Sequence, residues 1–229
     1  MATLLLRLAG PLQSWGVDSK FETRGTLDFP TKSGVIGLLA AALGYSRDEP
    51  LDRLNELNFG VRVDKEGVRL HDYHTADYHT AKGKKDTYVT HRYYLSDAVF
   101  LAGLESDDAE FLKELEEALR SPAFPLYLGR RSCVPSMPLV IGIRDTSCLT
   151  ALKNEKWQLS EWRQKKNTKT SSEKLRIIID AETPNPLSVF HDLPVSFSQK
   201  YRKFAPRSVE EYGYVEIKQT EHDALKALQ

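Results

Sequence analysis

The six residues Leu128-Gly129-Arg130-Arg131-Ser132-Cys133 bring together side chains suited to holding an anion. Adjacent guanidiniums fork onto phosphate oxygens. Glycine lets the backbone approach a ligand closely, and Ser132 adds a small hydroxyl donor. By composition alone the same residues would also make an ordinary surface turn. Their surroundings favour the first reading. From Arg120 to Arg144 there is no acidic residue, while Arg120, Arg130, Arg131 and Arg144 are present. A second acid-free stretch, Ser196 to Arg207, interleaves Lys200, Arg202, Lys203 and Arg207 with Phe197, Tyr201 and Phe204. Basic groups reach phosphates and aromatic faces stack on unpaired bases. Either stretch alone also fits a solvated face whose aromatics point inward. Two of them in one chain point toward a single-stranded nucleic acid.

Other residues invite other chemistry. His71, His74, His79 and His91 are interspersed with Tyr73, Tyr78, Tyr88, Tyr93 and Tyr94. No Cys or Asp/Glu set stands at a recognised ligand spacing beside them, so no metal is predicted. Metal-independent RNA cleavage needs a histidine or lysine near a 2′-hydroxyl, and His91 with Lys84 or Lys85 is the set that could supply one. The preferred alternative is an exposed arm whose polar face touches RNA or a neighbouring protein. Thr31-Lys32-Ser33 suggests a triphosphate loop, but Pro30 and Thr31 stand where that loop needs glycine and lysine after Gly25. What remains is a helix start with Lys32 beside it, a modest anion site or a plain helix cap. Nucleophile-elbow, zinc-protease and dinucleotide motifs are missing, and no cofactor is predicted.

Composition narrows the classes. The chain has 229 residues, one large domain or two small ones at roughly 100–200 residues each. Basic and acidic side chains number 32 each, giving no net charge. This argues against coating nucleic acid non-specifically and leaves room for a local basic groove. Cys133 and Cys148 make no disulfide framework, so a reduced, cytoplasmic setting is expected. The apolar start, Met1 to Leu8, is short, carries Arg7 and runs into Gly10-Pro11, unlike a signal peptide.

The elements that must position these residues are legible in outline. Thr3–Ala9 reads as a strand ended by Gly10-Pro11, and Gln13–Pro30 as a long loop. Ser33 fits the cap of a helix that stops at Gly44. Gly34 and Gly37 inside that helix imply close approach on that face. Asn58–Val63 is a strand, and Val68–Tyr94 a long hairpin with its tip at Lys82-Gly83-Lys84-Lys85-Asp86. Ala98–Leu104 is a strand, followed by a helix with Asp107 as cap and Phe111, Leu115, Ala118 and Leu119 as its apolar stripe. Leu139–Ile143 is another strand. Without the hairpin this order is the βαββαβ pattern of an α+β, ferredoxin-like fold, shared with RNA-recognition motif domains. A ferredoxin-like domain is therefore expected over residues 1–145, with a hairpin arm at about 68–95. A small β-rich C-terminal part is expected over 146–229. It would contain a polar, mobile loop at 163–174 and strands at Leu175–Ile179, Pro194–Phe197 and Tyr212–Ile217.

Several segments then lie in a recognisable order: Leu6–Gly16 (LRLAGPLQSWG), Phe29–Gly44 (FPTKSGVIGLLAAALG), Asp72–Thr75 (DYHT), Tyr127–Cys133 (YLGRRSC), and a tail with Arg202, Phe204, Arg207 and Tyr214-Val215. With them the sequence resembles the CasD family, RNA-binding subunits of Cascade, the type I-E CRISPR surveillance complex. The resemblance spans nearly the whole chain and is weakest from Cys148 to Thr183. It implies a non-catalytic subunit that grips the 5′ handle of the CRISPR RNA and caps one end of the complex. Its implied neighbours are the repeated backbone subunit and the large subunit that reads the PAM; target DNA is met through the complex. It further implies that Arg130, Arg131 and Ser132 contact the handle, with Gln13, Trp15, Arg24, Lys32 and Ser33 lining the same groove. Tyr73, His74 and the arm from Lys84 and Lys85 to His91 and Arg92 would form a thumb that displaces a nucleotide. Asp77–Thr80 repeats the DYHT motif, and the first copy is taken as the equivalent one. A related subtype cuts precursor RNA with the corresponding protein, so a metal-independent endoribonuclease is the alternative. A purely structural adaptor is the third reading.

Overall fold

A computed structural model describes residues 1–16, 22–81, 83–159, 174–181 and 188–216. Strand β1 (Ala2–Ala9) is apolar at almost every position because both of its faces are covered. Leu4, Leu6 and Leu8 point into the main core. Leu5 and Ala9 point the other way, into two smaller clusters. Two short strands follow: β2 (Leu12–Gln13) ends at the first residue of the segment expected as a loop, and β3 (Thr23–Arg24) lies inside it. Helix α1 (Lys32–Leu43) ends at Gly44, whose φ of 80° is the left-handed stop the sequence predicts. Its cap is Thr31, not Ser33. The backbone at Thr31 is still extended, and its hydroxyl accepts from the Gly34 amide at 3.2 Å.

After a single turn, α2 (Asp52–Asn55), come β4 (Asn58–Lys65), the paired strands β5 (Val68–His79) and β6 (Lys85–Ser96), and β7 (Val99–Ser106). Helix α3 (Ala109–Arg120) is capped by Asp108, one residue beyond the expected Asp107, with the carboxylate 2.9 Å from the Phe111 amide. It buries Phe111, Leu112, Leu115 and Leu119. Then follow β8 (Val140–Arg144), α4 (Cys148–Asn154), β9 (Lys174–Asp180), β10 (Ser188–Ser196) and β11 (Lys203–Glu216).

Seven strands form one antiparallel sheet in the order β10-β11-β9-β4-β7-β1-β8. Helices α1 and α3 share a core with one face, and α4 packs on the other. The sequence divides near residue 145, yet β9 pairs with β4, so both parts share a single sheet. Of the loop expected at 163–174, only Lys174 is described, as the first residue of β9; the rest lies outside the described residues.

Two buried ion networks hold the added elements. Arg62 and Asp64, both in β4, form a bidentate pair at 2.6 and 2.9 Å. Arg62 also donates to the carbonyls of Leu152, Glu155 and Lys156, which fastens α4 and its exit to the sheet. Arg207 of β11 donates to both Asp192 oxygens, at 2.7 and 2.8 Å, and to Asp180. Burial works against the charged guanidinium, and Asp192 and Asp180 outweigh it, so the Arg207 pKa is raised. The Lys32 ammonium reaches Asp180 at 2.8 Å, and the Lys32 amide donates to Asp192. This network ties the start of α1 to β9, β10 and β11.

Asp192→Ala leaves Arg207 with Asp180 alone and the Lys32 amide without its acceptor. It should lower the unfolding free energy by about 3–5 kcal/mol in urea titrations. The Phe111 amide, with Arg53 nearby, holds the Asp108 carboxyl below its ordinary value. The cap's contribution is therefore present above the unfolded pKa of about 4 and lost as pH falls through the lower folded value. Asp108→Ala should melt below the parent protein at neutral pH, and the gap should close in acid.

Candidate nucleic-acid interface

The residues at the end of β1 fold back as a buried hinge. The Gln13 amide nitrogen donates to Leu8 and Ala98 carbonyls at 3.2 and 2.8 Å, and its oxygen accepts from the Trp15 indole at 3.0 Å. Trp15 packs on Gly34 of α1, where an added β-carbon would sit 2.8 Å from the indole. The close approach expected at Gly34 is thus with Trp15; Gly37, three residues on, faces Phe197.

Onto this hinge docks the Gly-Arg-Arg loop. The Ser14 amide donates to Leu128 O at 3.1 Å. Gly129 has φ 84° and lies so close to Ser14 that a β-carbon would overlap its carbonyl. The Cys133 amide donates to Arg130 O, and the Leu128 amide to Cys133 O, closing the loop on itself. Cys133 is buried beneath, and burial pushes its thiol pKa up, so it serves as an apolar anchor.

The base of the arm meets the loop. β6 carries β5 on one edge; on the other it pairs with β2 at Leu95–Ser96 and, in parallel, with β3 at His91–Arg92. Arg24 and Arg92 are Cα partners in that parallel pair, so two like charges stand side by side. Asp72 is the partner of Arg92 on the opposite edge. Arg130 lies over the Tyr94 ring at 4.6 Å and donates to the Arg24 and Gly25 carbonyls at 2.7 and 3.3 Å. Tyr94 as the platform for Arg130 escaped sequence reasoning, although its place two residues after Arg92 was the available signal. Arg131 and Ser132 are exposed at the loop tip. Arg92 Nε and Arg130 Nη1 are shielded from water and have no acceptor.

Four expected site residues are not at the surface. Gln13 and Trp15 are fully buried, and their polar atoms are satisfied within the hinge. Lys32 and Arg207 are only 5% and 6% exposed and belong to the ion network of the fold. The α1 start already holds the Asp192 carboxylate, which takes the place of an external anion. Ser33 is half-buried.

The proposed pairing of His91 with Lys84 or Lys85 is not assembled. Six residues along β6 separate His91 from Lys85, about 20 Å of extended strand. Lys85 is also paired with Asp77 at 2.8 Å. Lys84 lies in the turn, and Lys85 and Asp86 belong to β6, so the turn between His79 and Lys85 comes two residues earlier than expected. His91 instead joins a ring cluster at the arm's base. His71 Nε2 and His91 Nδ1 lie 2.9 Å apart, His71 stacks on Tyr93, and Tyr73 meets His91 edge-on. His74 is exposed on β5.

Lys200 and Arg202 lie in the connection between β10 and β11, and Lys203 opens β11; all three are exposed. Arg202 sits over Phe204 at 5.3 Å. Because Phe197 covers Gly37 and Trp15 covers Gly34, this connection and the hinge sit on one face of α1. Among the described residues no three His, Cys, Asp or Glu side chains are grouped to hold a metal. No described helix is long and apolar enough to cross a membrane.

Comparison with known proteins gives concordant matches. The model of a family described as CRISPR-associated protein (Cas_Cas5) matches residues 3–210. The CRISPR system Cascade subunit CasD of Escherichia coli (strain K12) is 40% identical over 156 residues, covering 61% of this chain and 70% of that one. A chain of a solved CRISPR RNA-guided surveillance complex superposes with a TM-score of 0.78 at 35% identity, over 99% of this chain and 97% of that one. A crystal structure of a Cas protein superposes with a TM-score of 0.71 at 40% identity, over 93% and 95%.

The docked loop can be tested alone. Gly129→Ala cannot keep both the left-handed backbone and the contact with Ser14. It should speed tryptic cleavage after Arg130 and Arg131 several-fold while the far-ultraviolet circular dichroism stays unchanged.

Proposed function

The chain belongs to the CRISPR-associated protein (Cas_Cas5) family, and from that premise we propose that it is a CRISPR RNA-binding subunit of a type I-E Cascade complex. It grips the 5′ handle of the guide and caps one end of the assembly. The carrying observation is the convergence of Arg24, Arg92, Arg130 and Arg131 where the hinge, the arm and the Gly-Arg-Arg loop meet. Like charges are held together there by backbone pairing, and adjacent guanidiniums of this kind fork onto phosphate oxygens. Lys200, Arg202 and Lys203 extend the basic surface across α1, and Tyr73, His74, Lys84, Lys85 and His91 belong to the arm.

The order β8-β1-β7-β4 with α1 and α3 on one face supports a ferredoxin-like module over residues 1–145. β5 and β6 serve as its thumb, and the strands after 146 add a β-rich flank. The complex works in the cytoplasm. The chain's neighbours in it are the repeated backbone subunit and the large PAM-reading subunit. Target sequence is read by guide pairing, so this subunit needs to hold one RNA end in register and has no need of an acid or base for cutting. The separation of His91 from Lys84 and Lys85 accords with that.

Arg130→Ala with Arg131→Ala should weaken binding of handle RNA about tenfold or more. It should also reduce the slope of log affinity against log salt by about 1 per lost phosphate contact. Unchanged binding and assembly would overturn the reading. Repeat RNA incubated with the protein in chelator should stay intact.

A further inference from the structure

Arg7 is the one charged residue of β1, the strand between β7 and β8. A guanidinium in so apolar a strand is expensive to bury, and burial lowers its pKa despite the charge of Asp64. Asp64 does not hold it, because that carboxylate is taken by Arg62 and the Gln158 amide. The hydrogen bond of the Arg7 side chain among the described residues is a long one, 3.4 Å from Nε to Gln158 O. Arg7 lines a cavity of about 330 Å³ together with Gly10, Asp97, Val99, Ser136 and Leu159. Such a volume lies in the range of small-ligand sites.

The cavity adjoins the RNA patch. Gly10 lines it and also lies against the Gly-Arg-Arg loop: a β-carbon there would come within 2.7 Å of Val134 O and 3.3 Å of the Leu128 side chain. Asp97 carries the one positive φ, 57°, among described residues other than glycine, and so sits at the tight turn between β6 and β7. Its amide donates to Pro11 O, and its carboxylate has no ion pair or hydrogen bond among the described residues. The lining of the cavity thus combines a guanidinium, a carboxylate and a hydroxyl residue, Ser136, with the apolar residues Val99 and Leu159.

A single-stranded base is read on its polar edges and packed on its faces. Guanine alone among the four bases presents two acceptors, O6 and N7, on one edge and donors, N1–H and the 2-amino group, on the next. The first pair suits an arginine fork, and the second suits a carboxylate. We propose that this cavity is a guanine-binding pocket for a nucleotide of the RNA gripped by the neighbouring loop. Arg7 donates to O6 and N7, and Asp97 accepts from the Watson–Crick edge. The proposal rests on the RNA-binding reading above and adds base selectivity to it.

The test uses the purified full chain and eight-nucleotide uridine strands carrying one guanosine, moved through each position in turn, with affinity read by fluorescence anisotropy. One position should bind about tenfold or more tighter than all-uridine. Replacing that base by 7-deazaguanosine, or Arg7 by Met, should abolish the advantage. Replacing it by inosine, or Asp97→Asn, should remove part of it. Because Arg7→Met risks the fold, the two base analogues on the unaltered protein carry the test independently. RNA binding with no preferred position overturns the pocket alone. Absence of any RNA binding overturns the pocket and the RNA reading together. If Arg7→Met weakens capture of partner protein while RNA selectivity is untouched, the cavity takes a protein carboxylate and the proposal fails.

Discussion

The carboxamide of Gln13 is fully buried where the first strand runs out, and three bonds converge on it: two to backbone carbonyls of β1 and the β6–β7 turn, and one from the Trp15 indole. Buried amides of this kind must be satisfied on both ends, so the chain has little choice of path after Gly10-Pro11. That path sets Trp15 against Gly34, Ser14 against Gly129, and Thr23-Arg24 beside the arm. The basic patch is therefore a consequence of how the hinge packs. Its cations lie on three segments far apart in sequence, each fastened to the hinge by backbone contacts.

The same logic explains where the charges of this electrically neutral chain go. Some serve the fold: Arg62 with Asp64, and Lys32 and Arg207 with Asp180 and Asp192, are neutralised inside. Broken pairs in such places are costly, which makes them register pins for the added strands. Others, Arg24, Arg92, Arg130 and Arg131, are brought together where the hinge, the arm and the loop meet, with Asp72 as the cross-strand partner of Arg92. A local surplus of cations within a balanced total is what a selective grip on one RNA segment requires. Non-specific binders instead carry their charge as a net excess.

The arm follows a different economy. β5 is exposed along its whole length, and only the β6 end nearest the sheet has buried side chains. Its register is held by strand pairing and by the stacked His71, His91 and Tyr93 rings at its base. Such an element gains little from burial and is suited to reaching a partner.

Much of this was legible in sequence because it depends on local rules. The apolar run of β1, the Gly44 stop, the α3 stripe and the glycine-marked arm follow from periodicity and backbone preference. Helix caps slipped, from Ser33 to Thr31 and from Asp107 to Asp108, because several neighbouring residues can cap and backbone direction chooses among them. The Gly129-Arg130-Arg131 loop was found by composition, and its need for glycine by steric rule. Sequence could not sort the cations. Nothing local distinguishes Lys32 and Arg207, which are spent on buried carboxylates more than 100 residues away or across a strand pair, from Arg24 and Arg130, which remain at the surface. Nor could it show that Gln13 and Trp15 face inward or that Arg7 opens onto a cavity. Desolvation and pairing depend on which distant residues pack together, and that is decided only when the sheet closes over its core.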